Sequence, residues 1–278
     1  MHPEPDTITT IGRSLIQFGA LNERVYLMKL DSRDVPGIAS DLERLARAHG
    51  LTKVCAKVPF PLRLDFLSQG FVQEACVPEL YDGRVDGLFL ARFLEEGRGC
   101  PDRGCPVPGQ VQTGPSGLAR SRAGTAGVQV RKMGQDRVRD MAELFRDQFS
   151  AYPFPVHDPD FLAEFLQSHG RFFGVEIQGR IAALASSEMS SASGHVEMTD
   201  FIVLPAFRGQ GLATALLRFM EAEMRCLGLK TAFSIARAGS AGMNAVFARQ
   251  GYGYRGRLVQ NTCFNGRLED MNIWSRRL

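Results

Sequence analysis

The stretch Thr199-Asp-Phe-Ile-Val-Leu-Pro-Ala-Phe-Arg208-Gly-Gln-Gly211-Leu-Ala213 decides the fold, because it predicts a strand, a glycine-containing turn and a helix start in immediate succession. Its β-branched and aromatic first half favours a strand, and apolar residues recur at helical spacing over residues 214–224. Glycines at such a junction let backbone amides converge on one point, where the helix start adds partial positive charge. The turn is therefore a candidate phosphate site, although a plain tight turn is the simpler interpretation.

The spacing of this turn separates it from two common phosphate-binding patterns. A dinucleotide fingerprint needs three glycines, and a Walker loop needs Gly-Lys-Ser or Gly-Lys-Thr. Arg-x-x-Gly-x-Ala after a strand instead resembles the coenzyme A site of the Gcn5-related N-acetyltransferase (GNAT) superfamily. The resemblance implies acetyl-CoA as cosubstrate, bound by the strand end, the turn and the first helical turn, namely Ile202, Val203, Arg208, Gly209, Gln210, Gly211, Leu212, Ala213 and Thr214.

A second motif lies downstream at the expected separation. Phe247-Ala-Arg-Gln-Gly-Tyr252 resembles the closing helix of the same superfamily, with Gly251 as a helix C-cap. The resemblance implies that Phe247 contacts the coenzyme. Many members carry a tyrosine at that position, which protonates the leaving thiolate. Phe247 has no proton to give, so Ser240, Tyr252, Tyr254 or solvent would take that role.

Composition limits the remaining classes. The chain has 278 residues, 44% hydrophobic and 23% charged, which is enough for two modest domains. A net charge of +3 without a basic cluster argues against nucleic-acid binding. The start, Met1-His-Pro-Glu-Pro-Asp6, lacks a signal pattern, and no segment has the length and apolarity of a membrane span. We therefore expect a cytoplasmic protein that does not bind a membrane.

The six cysteines are scattered along the chain. Cys100 and Cys105 are the only close pair in the sequence, and no His or further Cys stands beside them at metal-ligand spacing. We expect reduced thiols and no bound metal.

The chain divides at a change of composition. Residues 97–127 are rich in Gly, Pro, Ser, Ala and Arg and offer almost nothing to bury, which predicts a mobile linker. The linker would separate an N-terminal domain, residues 1–96, from a catalytic domain, residues 128–278.

The N-terminal domain repeats part of the catalytic one. Residues 50–58 match residues 228–236 in pattern, and Phe66-Leu-Ser-Gln-Gly-Phe71 matches Phe247-Ala-Arg-Gln-Gly-Tyr252. The first copy lacks the Arg-x-x-Gly-x-Ala turn, so we expect half an acetyltransferase domain that does not bind coenzyme. This domain could pack against the catalytic domain, form a homodimer or form one wall of the substrate pocket.

For the catalytic domain the sequence predicts an α/β (α+β) fold with a mixed, largely antiparallel sheet flanked by helices. We expect strands at 128–131, 171–177, 181–188, 196–203 and 230–236, helices at 136–149, 161–169 and 240–250, and a closing strand pair with its hairpin turn at Asn265-Gly266. In the first half, strands at 14–18 and 24–30 should pair, followed by a helix at 34–49. The catalytic sheet should open between the strand before Arg208 and the strand that begins at Lys230, where ligands lie in such sheets.

An amine acceptor requires a base, because an amine near pKa 10 is protonated at neutral pH and cannot attack a thioester. Strand alternation places Glu197 on one face with Thr199, and Asp200 on the other unless a bulge shifts the register. Glu197 stands where several members of the superfamily carry their base, and Asp200 is the competing candidate. A solvated carboxylate, or a ligand of the substrate ammonium, is the other interpretation of Glu197. The amide near Val203 would stabilise the oxyanion.

A narrower resemblance spans nearly the whole chain except the linker and concerns the β-lysine N-acetyltransferases. It rests on strings such as Val25-Tyr-Leu-Met-Lys29, Tyr152-Pro-Phe-Pro155, Glu197-Met-Thr-Asp-Phe201 and Met271-Asn-Ile-Trp274. It implies acetylation of the ε-amine of β-lysine to give a zwitterionic osmolyte. Lysine 2,3-aminomutase would supply the β-lysine, with no physical contact implied.

Such a substrate needs an anion site for its carboxylate and acceptors for its unreacted ammonium. The guanidinium fork of Arg237 suits the carboxylate. Candidates to line the rest of the substrate site are Tyr152, Glu188, Thr199, Asp200, Asn244, Asn261 and Asn272, although each asparagine is equally well explained as a turn or strand residue. A protein lysine, a polyamine or an aminoglycoside remains open as acceptor. So does a module that senses acetyl-CoA without turnover.

Overall fold

The computed structural model describes residues 6–102, 104–105, 107–108, 128–149, 152–264 and 266–278. The N-terminal half comprises β1 (Thr7–Ile11), β2 (Ser14–Gly19), β3 (Arg24–Lys29), α1 (Ile38–Ala48), β4 (Lys53–Pro59), α2 (Arg63–Leu67), β5 (Val72–Tyr81) and β6 (Val85–Phe93). The predicted antiparallel pair is confirmed as β2 and β3. Helix α1 begins at Ile38 and not at Asp34, because Val35 precedes a proline and adopts extended backbone.

The C-terminal half comprises β7 (Val130–Met133), α3 (Val138–Gln148), α4 (Pro159–Gln167), β8 (Gly170–Ile177), β9 (Arg180–Ser190), β10 (His195–Val203), α5 (Leu212–Cys226), β11 (Thr231–Arg237), α6 (Ala241–Arg249), β12 (Gly253–Phe264) and β13 (Arg267–Arg277). Every strand and helix predicted for this half is present, with boundaries shifted by one or two residues. Asn265, in the predicted hairpin turn between β12 and β13, lies outside the described residues.

All these strands belong to one sheet. Their order is β1-β2-β3-β4-β6-β5-β12-β13-β11-β10-β9-β8-β7. Of the strand pairs in the described residues, β3 with β4 and β10 with β11 are parallel and the others are antiparallel. The predicted fold class, a mixed and largely antiparallel sheet flanked by helices, is confirmed.

The two halves share one topology. The first contains β3-α1-β4-α2-β5-β6 and the second β10-α5-β11-α6-β12-β13, and corresponding strands pair in the same sense. The halves join where β5 runs antiparallel to β12 at Ala75 and Gly256. They differ at the connection that carries the glycine turn in the second half. In the first half, α1 follows Gly37, whose φ of -69° is ordinary helical backbone.

A bulge in β12 forms contacts between the two halves. The register between β12 and β13 shifts between Leu258 and Thr262, and the extra residues contact the N-terminal half. Lys53 of β4 donates to the carbonyl of Val259 (2.7 Å) and forms an ion pair with Glu74 of β5 (2.9 Å). The Lys53 and Glu74 side chains are 0% and 5% exposed, so this ion pair is enclosed by protein.

The first residues of the predicted linker pack against the same region. Arg98 is buried and donates to the carbonyl of Asn22 (3.0 Å), and the amide of Asp102 donates to the Asp270 carboxylate (3.0 Å). The local composition does not indicate these contacts, because the partners are distant in sequence. Residues 109–127 lie outside the described part of the chain, so the division of the chain at residue 97 stays a prediction.

We expect Lys53→Met to lower the free energy of unfolding by roughly 3 kcal/mol, because it leaves the Glu74 carboxylate buried without its cation. Chemical denaturation monitored by circular dichroism measures this loss. The double variant Lys53→Met, Glu74→Met is the matched control and should recover most of the stability, since it leaves no charge behind. If Lys53→Met is as stable as the wild type, this ion pair does not stabilise the contact between the halves.

Candidate active site

The sheet opens between β10 and β11. These strands pair in parallel from His195 to Glu197, opposite Thr231 to Phe233, and then separate. The opening therefore begins immediately after Glu197 and extends to the ends of both strands. It lies where the strand pattern predicts it.

The glycine turn follows β10, at the end of this opening. Gly209 and Gly211 have φ values of +77° and +79°, a left-handed conformation that glycine adopts without strain. A Cβ added at Gly209 would meet nothing within 4 Å, so the space above the turn is open. Gly211 is the N-cap of α5 and offers no side chain to the first amides of the helix. Backbone amides at a helix start that receive no side-chain cap can donate hydrogen bonds to a pyrophosphate.

The remaining residues of the predicted coenzyme site divide into two groups. Arg208, Gly209 and Gln210 are exposed on the turn, and Arg208 donates to the carbonyl of Val203 (3.1 Å). Ile202 and Leu212 are buried, whereas Val203, Gly211, Ala213 and Thr214 are half-buried around the turn.

Phe247 lies in the core and not on the surface of the opening. Its side chain is 1% exposed and contacts the rings of Phe201, Tyr252 and Trp274. The contact between Phe247 and coenzyme stays a prediction, and in the structure Phe247 packs among these three rings. Tyr252, one of the alternative acids, is buried beside it.

Glu197 stands in a row of side chains at the start of the opening. It pairs with Phe233 on β11 and with Glu188 on β9, and directly paired residues share one face of a sheet. Burial, and then the neighbouring Glu188 carboxylate, raise the pKa of Glu197 to about 8, while Lys57 opposes them. Two carboxylates opposite one another repel, so this row favours a bound cation.

Glu188 is held differently from Glu197. Its carboxylate lies 3.6 Å from Nε2 of His169. Burial would raise the pKa of Glu188, but the hydrogen bond from His169 and the charge of Lys57 lower it below its usual value. Of these two carboxyl groups, Glu188 is therefore ionised at neutral pH, and Glu197 is the one that gains or loses its proton near neutral pH.

Asp200 reaches the site because β10 contains a bulge. The register with β9 shifts between Thr199 and Ile202, and Asp200 has a φ of +55°. Its carboxylate accepts hydrogen bonds from the hydroxyls of Tyr152 and Ser186. Burial raises the pKa of Asp200, although these donors oppose the shift. The bulge on which the placement of Asp200 depended is present, and the hydroxyls of Tyr152 and Thr199 contact the Asp200 carboxylate there.

The N-terminal half supplies the opposite wall of this site. The Lys57 ammonium lies 5.3 Å from the centre of the Phe233 ring, and Phe89, which pairs with Lys57 on β6, also contacts that ring. Burial and the Glu197 carboxylate raise the pKa of Tyr26 on β3. Sequence reasoning missed Lys57 and Tyr26. The string Val25-Tyr-Leu-Met-Lys29 was the one local signal, and it does not reveal which face points to the site.

Arg237 is not free to bind a carboxylate with its fork. Its Nε and Nη2 donate to the two carboxylate oxygens of Glu269 (2.9 and 2.6 Å), and its guanidinium lies over the ring of Phe264. The predicted anion site is therefore already occupied by an acidic side chain. The sequence does not show this, because Glu269 is 32 residues away on β13.

The three predicted asparagines serve the fold. Asn244 accepts from Asn272 (2.9 Å) and Trp274 (2.8 Å) and donates to the carbonyls of Arg237 and Ser240, which uses its whole amide. Asn261 accepts from Cys55, Lys53 and, through its carbonyl, Arg24 at the junction of the halves. These contacts fit the alternative that the asparagines are satisfied strand and turn residues, and their role as substrate ligands stays a prediction.

Among the described residues no group of three or more His, Cys, Asp or Glu side chains is arranged to hold a metal ion. In the same part of the chain, no helix combines the length and the apolar character that crossing a bilayer requires.

Comparison with known proteins identifies the family. Residues 138–252 match the family model of the acetyltransferase (GNAT) family. The chain is 32% identical over 272 residues to the β-lysine N(6)-acetyltransferase of Methanococcus maripaludis, covering 97% of this chain and 98% of that protein. The chain belongs to the GNAT family of acetyltransferases.

Two further relatives extend this result. The acetyltransferase is 36% identical over 152 residues to the β-lysine N(6)-acetyltransferase of Methanosarcina mazei, covering 55% of this chain and 56% of that protein. It is 27% identical over 266 residues to the N-acetyltransferase YodP of Bacillus subtilis, covering 95% and 96%. This GNAT acetyltransferase is therefore an N-acetyltransferase, and its similarity to the Methanococcus maripaludis and Bacillus subtilis proteins includes the N-terminal half.

Proposed function

We propose that this N-acetyltransferase transfers the acetyl group of acetyl-CoA to the ε-amine of β-lysine by direct transfer in a ternary complex. The observation that carries the proposal is the set of charges enclosed between the two halves. Glu188 and Glu197 are close enough to Lys57 for their charges to interact with it, and Asp200 acts on Glu197 from the same strand, next to the opening of the sheet. β-Lysine has two ammonium groups and one carboxylate, which complement this set. The name of the relative that aligns with 97% of the chain supports the same acceptor.

We assign Glu197 as the base. Its pKa of about 8 lies closer to that of an amine than an ordinary carboxylate's does, so taking a proton from the ε-ammonium costs less free energy. The neutral amine then forms a C–N bond with the thioester carbonyl carbon, the C–S bond breaks, and the proton that the nitrogen loses on becoming an amide passes through solvent to the leaving thiolate. The amide near Val203 would stabilise the oxyanion. The leaving thiolate needs no dedicated acid, because a thiol has a pKa of only about 8.5.

We assign Asp200 a positioning role. Both of its oxygens accept hydrogen bonds, one from Tyr152 and one from Ser186, so it fixes the bulge and the Tyr152 ring beside the reacting amine. Glu188 would hold the unreacted β-ammonium, since it lies directly opposite Glu197 across the strand pair. The position of these half-buried groups between the two halves supports a small acceptor over a lysine on a protein surface.

We also propose that the product is an osmolyte. Acetylation removes one positive charge from a molecule with two ammonium groups and one carboxylate, which leaves a zwitterion without net charge. The substrate would come from an enzyme that moves the α-amino group of lysine to the β-carbon.

A panel of acceptors tests the proposed function. With acetyl-CoA, we expect kcat/KM for β-lysine to exceed that for α-lysine, spermidine or a histone-type peptide by at least about tenfold, because each of these misplaces a charge in the site. Release of free thiol measures turnover for every acceptor on the same scale. Preference for the peptide would contradict a small-molecule acceptor. Binding of acetyl-CoA without turnover of any amine would favour a sensing module instead.

A further inference from the structure

The face of the N-terminal sheet that meets the catalytic half carries three cations. Arg24 of β3 lies beside Lys53 of β4, and Lys57 follows on the same face of β4, because alternate residues of a strand share a face. The opposite face of these strands packs Val25, Val54 and their apolar neighbours against α1. Arg24 and Lys53 are buried and Lys57 is half-buried, and cations in such positions are stabilised by anionic or carbonyl partners.

Two of the three cations have such partners in the protein. Lys53 pairs with Glu74 and donates to the carbonyl of Val259. Arg24 donates to the carbonyl of Asn261 and to the hydroxyl of Thr262. Among the described residues Lys57 forms neither a hydrogen bond nor a close ion pair; its ammonium rests over the Phe233 ring, and the Glu197 and Glu188 carboxylates act on it at longer range. It is therefore the cation of this face that remains open to a ligand.

Lys57 also lies close to the carboxylates of the site. Phe233, over which its ammonium lies, is directly paired with Glu197, and Glu197 is directly paired with Glu188. Neighbours paired across strands have Cβ atoms roughly 5 Å apart, so the row places an ammonium ligand and a cation within the span of one small amino acid. Arg237, the other basic residue considered for this purpose, already forms two hydrogen bonds with Glu269.

We propose that Lys57 binds the carboxylate of the amino-acid substrate, so that the N-terminal half determines the preference for an amino acid over a simple diamine. This inference rests on the proposed function. The N-terminal half, which has no glycine turn, would then supply a cation for the substrate, whereas Arg237 of the catalytic half is already paired with Glu269. Lys57 is a specificity-determining residue in this account and takes no part in proton transfer.

The test compares β-lysine with 1,4-diaminopentane, which keeps both amines at the same separation and lacks only the carboxylate. For the wild type we expect kcat/KM to favour β-lysine by at least about tenfold, since the diamine leaves Lys57 without its anion. Lys57→Met should abolish this preference by raising KM for β-lysine about tenfold or more, with kcat/KM for the diamine changed by less than about threefold. Lys57→Arg keeps the charge and should retain most of the preference.

Two matched controls accompany this comparison. Lys29→Met removes a lysine from the exposed end of β3, and Arg237→Met removes the guanidinium paired with Glu269; both should keep the wild-type preference. Thermal unfolding and acetyl-CoA affinity establish that each variant is folded.

The possible results separate the two proposals. A Lys57→Met variant that keeps the wild-type preference, or that loses both substrates equally, overturns the assignment of Lys57 and leaves the proposed function in place. A wild type that does not acetylate β-lysine overturns the proposed function, and the assignment of Lys57 with it.

Discussion

We expect the Glu197→Gln variant to lose kcat by on the order of a hundredfold to a thousandfold with β-lysine, the range typical for removal of a general base. Glutamine keeps the size of the side chain but cannot accept the proton of the ε-ammonium. The pH profile gives a second, independent sign of this role. Because burial and Glu188 raise the pKa of Glu197 to about 8, the wild-type kcat/KM should rise with pH up to about 8 and then level. That acid limb should be absent in the variant.

Asp200→Asn is the matched comparison, because it removes the competing carboxylate from the same strand. We expect a smaller loss of kcat and a retained acid limb near pH 8, since Asp200 positions Tyr152 and Ser186 and does not take the proton in our account. Stopped-assay thiol release across pH 6 to 10 (a range of about four units around the expected limb) measures both variants. Normal turnover in Glu197→Gln together with an inactive Asp200→Asn would exchange the two roles.

The largest effect on coenzyme binding should follow from Gly211→Val. A β-branched side chain at a φ of +79° strains the turn, so we expect the turn to rearrange and the pyrophosphate to lose its backbone donors. We expect the affinity for acetyl-CoA to fall below detection in isothermal titration calorimetry. The cooperative unfolding transition should persist, because the turn is half-exposed and outside the core.

Gly228→Val controls for the strain itself. Gly228 follows the other end of α5, has a φ of +80°, and an added Cβ there meets nothing within 4 Å. This variant carries the same backbone penalty far from the turn and should bind acetyl-CoA as the wild type does. Unchanged affinity in a folded Gly211→Val would show that the turn does not bind the pyrophosphate.

Much of the fold could be predicted from sequence because its signals are local. The strand-to-helix junction at residues 199–213 and the helix that ends at Gly251 depend on periodicity, glycine and capping within a few residues. The order of elements then follows from short connections. The shared topology of the two halves was indicated by matched strings such as residues 66–71 and 247–252.

The charged site could be predicted only in part, because its partners come from distant strands. Glu197 and Glu188 were recognised as candidates from their strands. The pairing of Arg237 with Glu269, and the use of Asn261 at the junction, depend on how β13 and β12 align with their neighbours. Lys57 is part of the site because the two halves are joined through β5 and β12, which places Lys57 of β4 over Phe233 of β11. No sequence pattern within β4 predicts this contact.

The position of the acetyl group on the product tests the central claim most directly. Wild-type enzyme is incubated with acetyl-CoA and β-lysine, and the product is analysed by two-dimensional NMR and mass spectrometry. Our account predicts one added acetyl group, carried by the ε-nitrogen alone, because Glu188 holds the β-ammonium in its charged and unreactive form. Acetylation of the β-nitrogen, a mixture of both products, or no acetylated β-lysine would contradict it.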